Sequence, residues 1–320
     1  MFKFKSKKIL AAASVAAVCL LLVLLLISPQ EYTEACTQGI TLWAGAVLPA
    51  LFPFFVLTST LTEIGAGQKL SAALTPLANK CKLPKSAAYC FLLSALSGYP
   101  IGARTCADLY ERGDLSAQGA ARTAVLASTS GPMFLLASVG ATMFRSTAAG
   151  AILLLSHLTG VVAVSVVILL FSKKLPPDPP VRIPKKQNSA FSECIQKSVV
   201  SVLSVGGFIA LFFVIFRAVV DLRLTAPLEF LLKPIFGESG ATALCAGLLE
   251  ATHGCAMLAQ SECSLALPAA AFTVTFGGAC ILAQQLAFLK KTGISPLYFV
   301  GVKFLQGVAA FGVCALFCRL

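Results

Sequence analysis

The sequence has little charge of either sign. Only 12% of its 320 residues are Asp, Glu, Lys or Arg, and 13 of them are acidic, whereas 58% are hydrophobic. The mean hydropathy is +0.87, and a soluble domain carries roughly twice this charged fraction. These values exclude a soluble globular protein and predict an integral membrane protein.

The residues and spacings of metal, redox and catalytic sites are also scarce. The chain has two histidines, and its 12 cysteines lie mostly in apolar stretches with no C-x-x-C pair, which is typical of small buried side chains. H-E-x-x-H, G-x-S-x-G and a phosphate-binding glycine-rich loop are missing. We therefore expect no cofactor, no metal site and no enzyme, although a serine hydrolase that uses Ser97 or Ser130 stays open as an alternative.

The formal net charge of +12 does not indicate nucleic-acid binding. The basic residues lie in the gaps between apolar stretches and do not form one polar face. Their positions report membrane topology instead, so no nucleic-acid partner is expected.

Seven apolar stretches are long enough to cross a hydrocarbon core of roughly 30 Å. The first follows four lysines near the N-terminus and has no cleavage signal after it, so we interpret residues 1–38 as an uncleaved anchor. Residues 173–190 are a basic, proline-rich cytoplasmic loop between two repeats, residues 39–172 and residues 191–320. The predicted spans are residues 9–27, 39–61, 120–144, 148–171, 199–220, 265–289 and 297–317.

Two further apolar stretches reach only halfway across a membrane. Residues 85–96 make about 18 Å of helix before the break "SGYPIG" and a charged return limb, and residues 239–249 precede "EATHG". Each is typical of a re-entrant hairpin that enters and leaves on one side. Residues 67–83 and 228–236 suit short interfacial pieces, and residues 128–132 and 276–278 interrupt two spans.

The same order of elements occurs in both halves, and three crossings per half place the two copies in opposite orientations. With a cytoplasmic N-terminus, most Lys and Arg residues then lie on the cytoplasmic side. The predicted fold is an all-α polytopic membrane protein with two inverted repeats, each containing a re-entrant helical hairpin and a broken transmembrane helix.

The four breaks predict a substrate site, because many secondary transporters bind solutes where broken helices meet near the middle of the membrane. The alternative is that Gly and Pro only allow close helix packing. The candidate binding residues are Ser97, Gly98, Tyr99, Pro100, Gly102, Ser130, Gly131, Pro132, Glu250, Thr252, His253, Gly277 and Gly278.

Glu250 is the most informative single candidate, because an ionisable group inside a membrane is costly and commonly functional. His253 could share its helix face, and together they could carry a proton or bind a cation. A structural hydrogen bond between hairpin and bundle is the alternative. His157 lies alone among leucines and is interpreted as a packing residue.

At the breaks the sequence resembles a known family. "SGYPIGA" at residues 97–103, "TSGPMF" at residues 129–134 and "EATHG" at residues 250–254 resemble the sporulation integral membrane protein YlbJ family, whose members carry a nucleoside-recognition (Gate) domain. The resemblance implies a multi-pass protein of the bacterial cell membrane that serves sporulation and spore-cortex formation. It would contact membrane lipids and bind or transport a small solute, a nucleoside or an ion; the alternative is a non-transporting scaffold for spore-envelope assembly.

Overall fold

The computed structural model describes residues 2–64, 76, 83–172 and 191–319, with side chains from residue 12 onward. Within these ranges the chain forms helices and no strand. The predicted interfacial piece at residues 67–83, apart from residues 76 and 83, and the basic loop at residues 173–190 lie outside the described residues.

Thirteen α-helices are numbered here in chain order over the described ranges. They are α1 (Phe2–Ile27), α2 (Pro29–Leu42), α3 (Leu48–Glu63), α4 (Lys85–Ser97), α5 (Tyr99–Glu111), α6 (Ala117–Leu126), α7 (Thr147–Leu170), α8 (Phe191–Asp221), α9 (Ala226–Leu249), α10 (Ala251–Gln260), α11 (Ala266–Phe276), α12 (Gly278–Leu289) and α13 (Pro296–Phe317).

Five helical segments are long and apolar enough to cross a membrane, namely Pro29–Leu61, Thr147–Leu170, Phe191–Asp221, Ala266–Thr292 and Pro296–Phe317. They coincide with five of the seven predicted spans. The predicted anchor forms the continuous helix α1, whose described apolar part is Ala12–Ile27. The predicted span at residues 120–144 is not one helix, because the chain leaves helical geometry between α6 and Pro132.

Two segments are wound as π-helix, Trp43–Val47 between α2 and α3, and Phe134–Met143 before α7. The indole of Trp43 lies against Gly206 of α8, so close that a β-carbon there would come within 2.6 Å of the ring. Segments of π-helix are rare and frequently occur at functional sites. Here the two segments contribute Val47 and Phe134 to the same apolar cluster.

The interrupted helices contribute residues to two of the buried apolar clusters. The first contains Val47, Leu51, Phe134 and Ile209, and the second contains residues of α4 to α6 and of α11 to α13, including Phe299. Helices α4 and α5, and α9 and α10, are two consecutive pairs that contact each other closely. In each pair, the interruption between the two helices lies inside the bundle. These interruptions position the candidate site.

Candidate functional site

The first interruption separates α4 from α5. Gly98 has φ +86, a left-handed conformation that favours glycine, and it ends α4 at Ser97 so that Tyr99 begins the next helix. Pro100 occupies the first turn of α5, where its missing N–H costs no helical hydrogen bond. The side chain of Ser97 is 6% exposed.

The second interruption, residues 127–131, is held against α4. The hydroxyl of Ser94 on α4 accepts hydrogen bonds from the backbone N–H of Thr129 (3.1 Å) and from the Thr129 hydroxyl (2.9 Å). A β-carbon on Gly131 would lie 3.6 Å from the backbone nitrogen of Gly98. The two interruptions of the first half therefore touch, and Pro132 begins the helix that follows.

The third interruption is at Glu250, which is 1% exposed. Its carboxylate accepts hydrogen bonds from the backbone N–H groups of Thr252 (3.0 Å) and His253 (2.6 Å). It therefore caps the N-terminus of α10, where a negative charge is favourable.

The ring of His253 faces a different neighbour. It stacks on Phe213 of α8 with centroids 3.8 Å apart, and it meets the ring of Phe216 edge-on. Only its backbone N–H contacts Glu250. The expected partnership of the two side chains is thus absent from the described contacts, because the imidazole ring packs against Phe213 and Phe216 instead.

The fourth interruption lies at Gly277 and Gly278, which both have positive φ. A β-carbon on Gly278 would approach the carbonyl oxygen of Gly247 to 2.6 Å and that of Leu249 to 3.1 Å. This break therefore lies directly against the C-terminal end of α9.

Three of the four interruptions line one cleft, and Gly277 and Gly278 of the fourth are not part of its wall. Of the candidates, Ser97, Gly98, Tyr99, Ser130, Gly131, Glu250 and Thr252 line it. Gly102, His253 and Gly278 pack against neighbouring helices instead. The rest of the lining is mainly apolar and consists of Val47, Leu51, Phe54, Phe55, Phe134, Val205, Ile209, Cys280, Ile281 and Gln284.

Two hydroxyl groups in this cleft are free to bind a ligand. Ser97 and Ser130 are 6% and 2% exposed, and among the described residues neither hydroxyl makes a hydrogen bond. Both serines line the cleft, so a bound molecule that accepts or donates a hydrogen bond could pair with their hydroxyls.

Behind the cleft lies a buried polar cluster that sequence reasoning missed. Lys303 of α13 is 0% exposed, donates to the carbonyl oxygen of Ser128 (2.8 Å) and lies 5.2 Å from the ring centroid of Tyr99. The hydroxyl of Ser128 donates to the Gln285 carboxamide oxygen (2.6 Å). A lysine amid the apolar run "YFVGVKFLQGV" was the available signal.

His157 belongs to the same cluster and is more than a packing residue. Its Nε2 accepts the backbone N–H of Ser130 (2.9 Å), and its Nδ1 lies 3.0 Å from the hydroxyl of Thr275. Because Nε2 is occupied by a backbone donor, it does not serve as a base for the Ser130 hydroxyl.

The described residues contain no group of three or more His, Cys, Asp or Glu side chains that could hold a metal ion. The cysteines in the described ranges are free thiols, and most of them are buried. The groups that this site offers to a ligand are therefore hydroxyl groups, the helix-capping carboxylate of Glu250 and apolar side chains.

No family model matches this sequence, and no solved structure matches it. The sporulation integral membrane protein YlbJ of Bacillus subtilis (strain 168) is 28% identical over 316 residues, covering 88% of this chain and 76% of that protein. This similarity supports the assignment of the chain to the YlbJ family. Together with the apolar helices, it identifies a multi-pass membrane protein.

Proposed function

We propose that this relative of YlbJ binds a small solute in the cleft where its helices are interrupted, and that it transports the solute in the service of sporulation. The observation that carries the proposal is the pair of serines, Ser97 and Ser130, which line one cleft together with Glu250 and whose hydroxyls make no hydrogen bond among the described residues. Binding sites are typically apolar clefts with a few converging polar groups. The proposal is for a binding or transport protein and not for an enzyme.

The proposed topology has two re-entrant hairpins in inverted repeats. Helices α4 and α5 contain 13 residues each and α10 contains 10, so each is about 15–20 Å long and shorter than a hydrocarbon core of roughly 30 Å. The kink of α9 at Gly237 lies where the predicted interfacial piece ends. Both observations support hairpins that turn back inside the membrane.

Surface charge supports the same arrangement. Glu111 at the end of α5 pairs with Lys291 after α12, with 2.5 Å between carboxylate and ammonium. The end of the first hairpin and the end of the second broken helix therefore share one surface of the bundle. In the proposed topology this surface is cytoplasmic, with the N-terminus on the same side.

The solute panel of the first experiment consists of nucleosides, bases and small ions, tested by thermal unfolding of the purified protein. A ligand at 100 times its Kd stabilises the folded state by about 2.7 kcal/mol, which raises Tm. Ser97→Ala and Ser130→Ala should each weaken binding about fivefold to tenfold, because each removes one hydrogen bond. Ser204→Ala is the matched control, since Ser204 is exposed on α8 and bonds only its own helix.

The second experiment separates transport from the scaffold alternative. Glu250→Gln should abolish solute flux in proteoliposomes while the protein remains folded and inserted. A scaffold would show no stabilisation across the solute panel and would tolerate Glu250→Gln in sporulating cells. Either scaffold result would overturn the proposed binding function.

A further inference from the structure

We propose that Tyr99, His157 and Lys303 form a gate that closes the cleft on one side of the membrane. This inference rests on the proposed function, because a gate has a purpose only if the cleft admits a solute. It goes further by naming the side chains that must separate when the solute passes.

Each gate residue makes at least one contact that joins the first half of the chain to the second. Lys303 on α13 bonds the interruption at Ser128, and the Tyr99 hydroxyl at the tip of the first hairpin donates to the carbonyl oxygen of Val274 on α11. The ring of His157 on α7 bridges Ser130 and Thr275. Relative movement of the two halves therefore requires these contacts to break.

The gate residues adjoin both the cleft and the second apolar cluster. Tyr99 and Ser130 line the cleft and also contact the gate. Phe299 and Val302, which precede Lys303 on α13, belong to the second cluster. The gate residues are therefore neighbours of the cleft wall through Tyr99 and of the second cluster through α13.

The gate is held by contacts that can be exchanged for water. Within the described residues no carboxylate lies within salt-bridge distance of Lys303. The cost of removing its ammonium from water is offset only by one carbonyl oxygen and the face of one aromatic ring. A buried ammonium without a carboxylate partner retains much of its desolvation cost, whereas water would solvate it fully. The closed state is therefore poised to open.

The test measures access to Cys280, which lines the cleft, in a variant that keeps this cysteine alone. A membrane-impermeant thiol reagent is added to one side or the other of sealed vesicles that contain the full chain. With the gate intact, Cys280 should react from one side only. Equal reaction from both sides would overturn the proposal.

Adding Tyr99→Phe and Lys303→Met should make Cys280 react from the closed side at least about tenfold faster, since each substitution removes one cross-half hydrogen bond. Tyr298→Phe and Lys291→Met are matched controls on exposed residues and should leave the rate unchanged. An unchanged rate in a folded double variant would also overturn the proposal. Should the double variant fail to fold, Tyr99→Phe alone retains the ring and should still give a measurable increase; no increase would again overturn the gate.

The labelling needs no solute, so its outcome is independent of the thermal panel. One-sided labelling with a silent panel would refute solute binding by the molecules tested and leave the gate standing. Thermal stabilisation by a solute, together with labelling of Cys280 from both sides, would support solute binding and overturn the gate.

Discussion

The ammonium of Lys303 donates a hydrogen bond to the carbonyl oxygen of Ser128, 175 positions earlier in the chain and 2.8 Å away. A buried cation thus fixes the irregular backbone between α6 and Pro132 to the last helix. Irregular backbone inside a membrane is tolerated only where protein or water satisfies its polar groups.

Replacing this lysine should separate stability from function. Burying an ammonium without a carboxylate is expensive, and apolar replacements of buried charges are often neutral or stabilising. We expect Lys303→Met to unfold at the same Tm as the parent or higher, measured by differential scanning fluorimetry in detergent. A large fall in Tm would show that the lysine is mainly a structural element.

Lys303→Arg is the companion variant, because it keeps the charge but has a larger planar head group. It should lower Tm, since the cavity around a fully buried side chain leaves no room for the extra atoms. Equal Tm values for the Met and Arg variants would contradict this account of the cluster.

Substitutions of Glu250 should follow its role as the cap of α10. Glu250→Ala removes both acceptors of the Thr252 and His253 N–H groups, so we expect a loss of roughly 1–3 kcal/mol in the free energy of unfolding. Glu250→Gln retains one oxygen and should lose less. Chemical denaturation monitored by circular dichroism measures the difference, and equal losses would argue against a capping role.

Helix α5 passes close to the interruption at residues 127–131, and this contact should exclude any side chain larger than that of glycine at Gly102. A β-carbon there would lie 2.0 Å from the carbonyl oxygen of Ala127 and 2.5 Å from the side chain of Ser94. Gly102→Ala should therefore destabilise the protein by about 1–3 kcal/mol or prevent folding. Thermal unfolding and size-exclusion chromatography detect either result.

Gly301→Ala is the control for this prediction, because nothing lies within 4 Å of its β-carbon position on α13. It should be neutral or slightly stabilising, since alanine is the better helix former. If both substitutions behaved alike, the close approach at Gly102 would be without energetic consequence.

Cysteine labelling tests the membrane path directly. Pro84→Cys and Gly113→Cys flank the first hairpin and should react with impermeant reagents from the same side. Glu238→Cys and Glu262→Cys flank the second hairpin and should both react from the opposite side. Residues 84 and 113 on opposite sides would turn the first hairpin into a crossing and remove the inverted repeat.

The positions of the interruptions could be predicted from sequence, and their contacts could not. Gly98, Glu250 and Gly277 interrupt apolar stretches. The helices end at the two glycines because glycine readily adopts positive φ, and a new helix begins after Glu250 because an acidic side chain is favourable at a helix N-terminus. These signals are local, so a single sequence displays them. The all-helical fold followed from hydropathy in the same way.

The cluster around Lys303 depends instead on how distant helices pack. Ser128 and Gln285 are far apart in sequence, and neither carries a local pattern that names its partner. The π-helical segments were equally hidden, because hydropathy does not distinguish π-helix from α-helix. Glu250 was identified as a special position, but its role as a cap appeared only with the backbone geometry of Thr252 and His253.

Trp43 gives the protein a built-in optical reporter. It is the one tryptophan in the sequence, it packs against α8 at Gly206, and it lies one helical turn before Val47 in the cleft wall. Indole emission responds to small changes in its surroundings, so the intrinsic fluorescence of the unlabelled protein comes from this wall. A solute that enters the cleft or shifts the π-helical segment can therefore be followed in real time without any chemical modification.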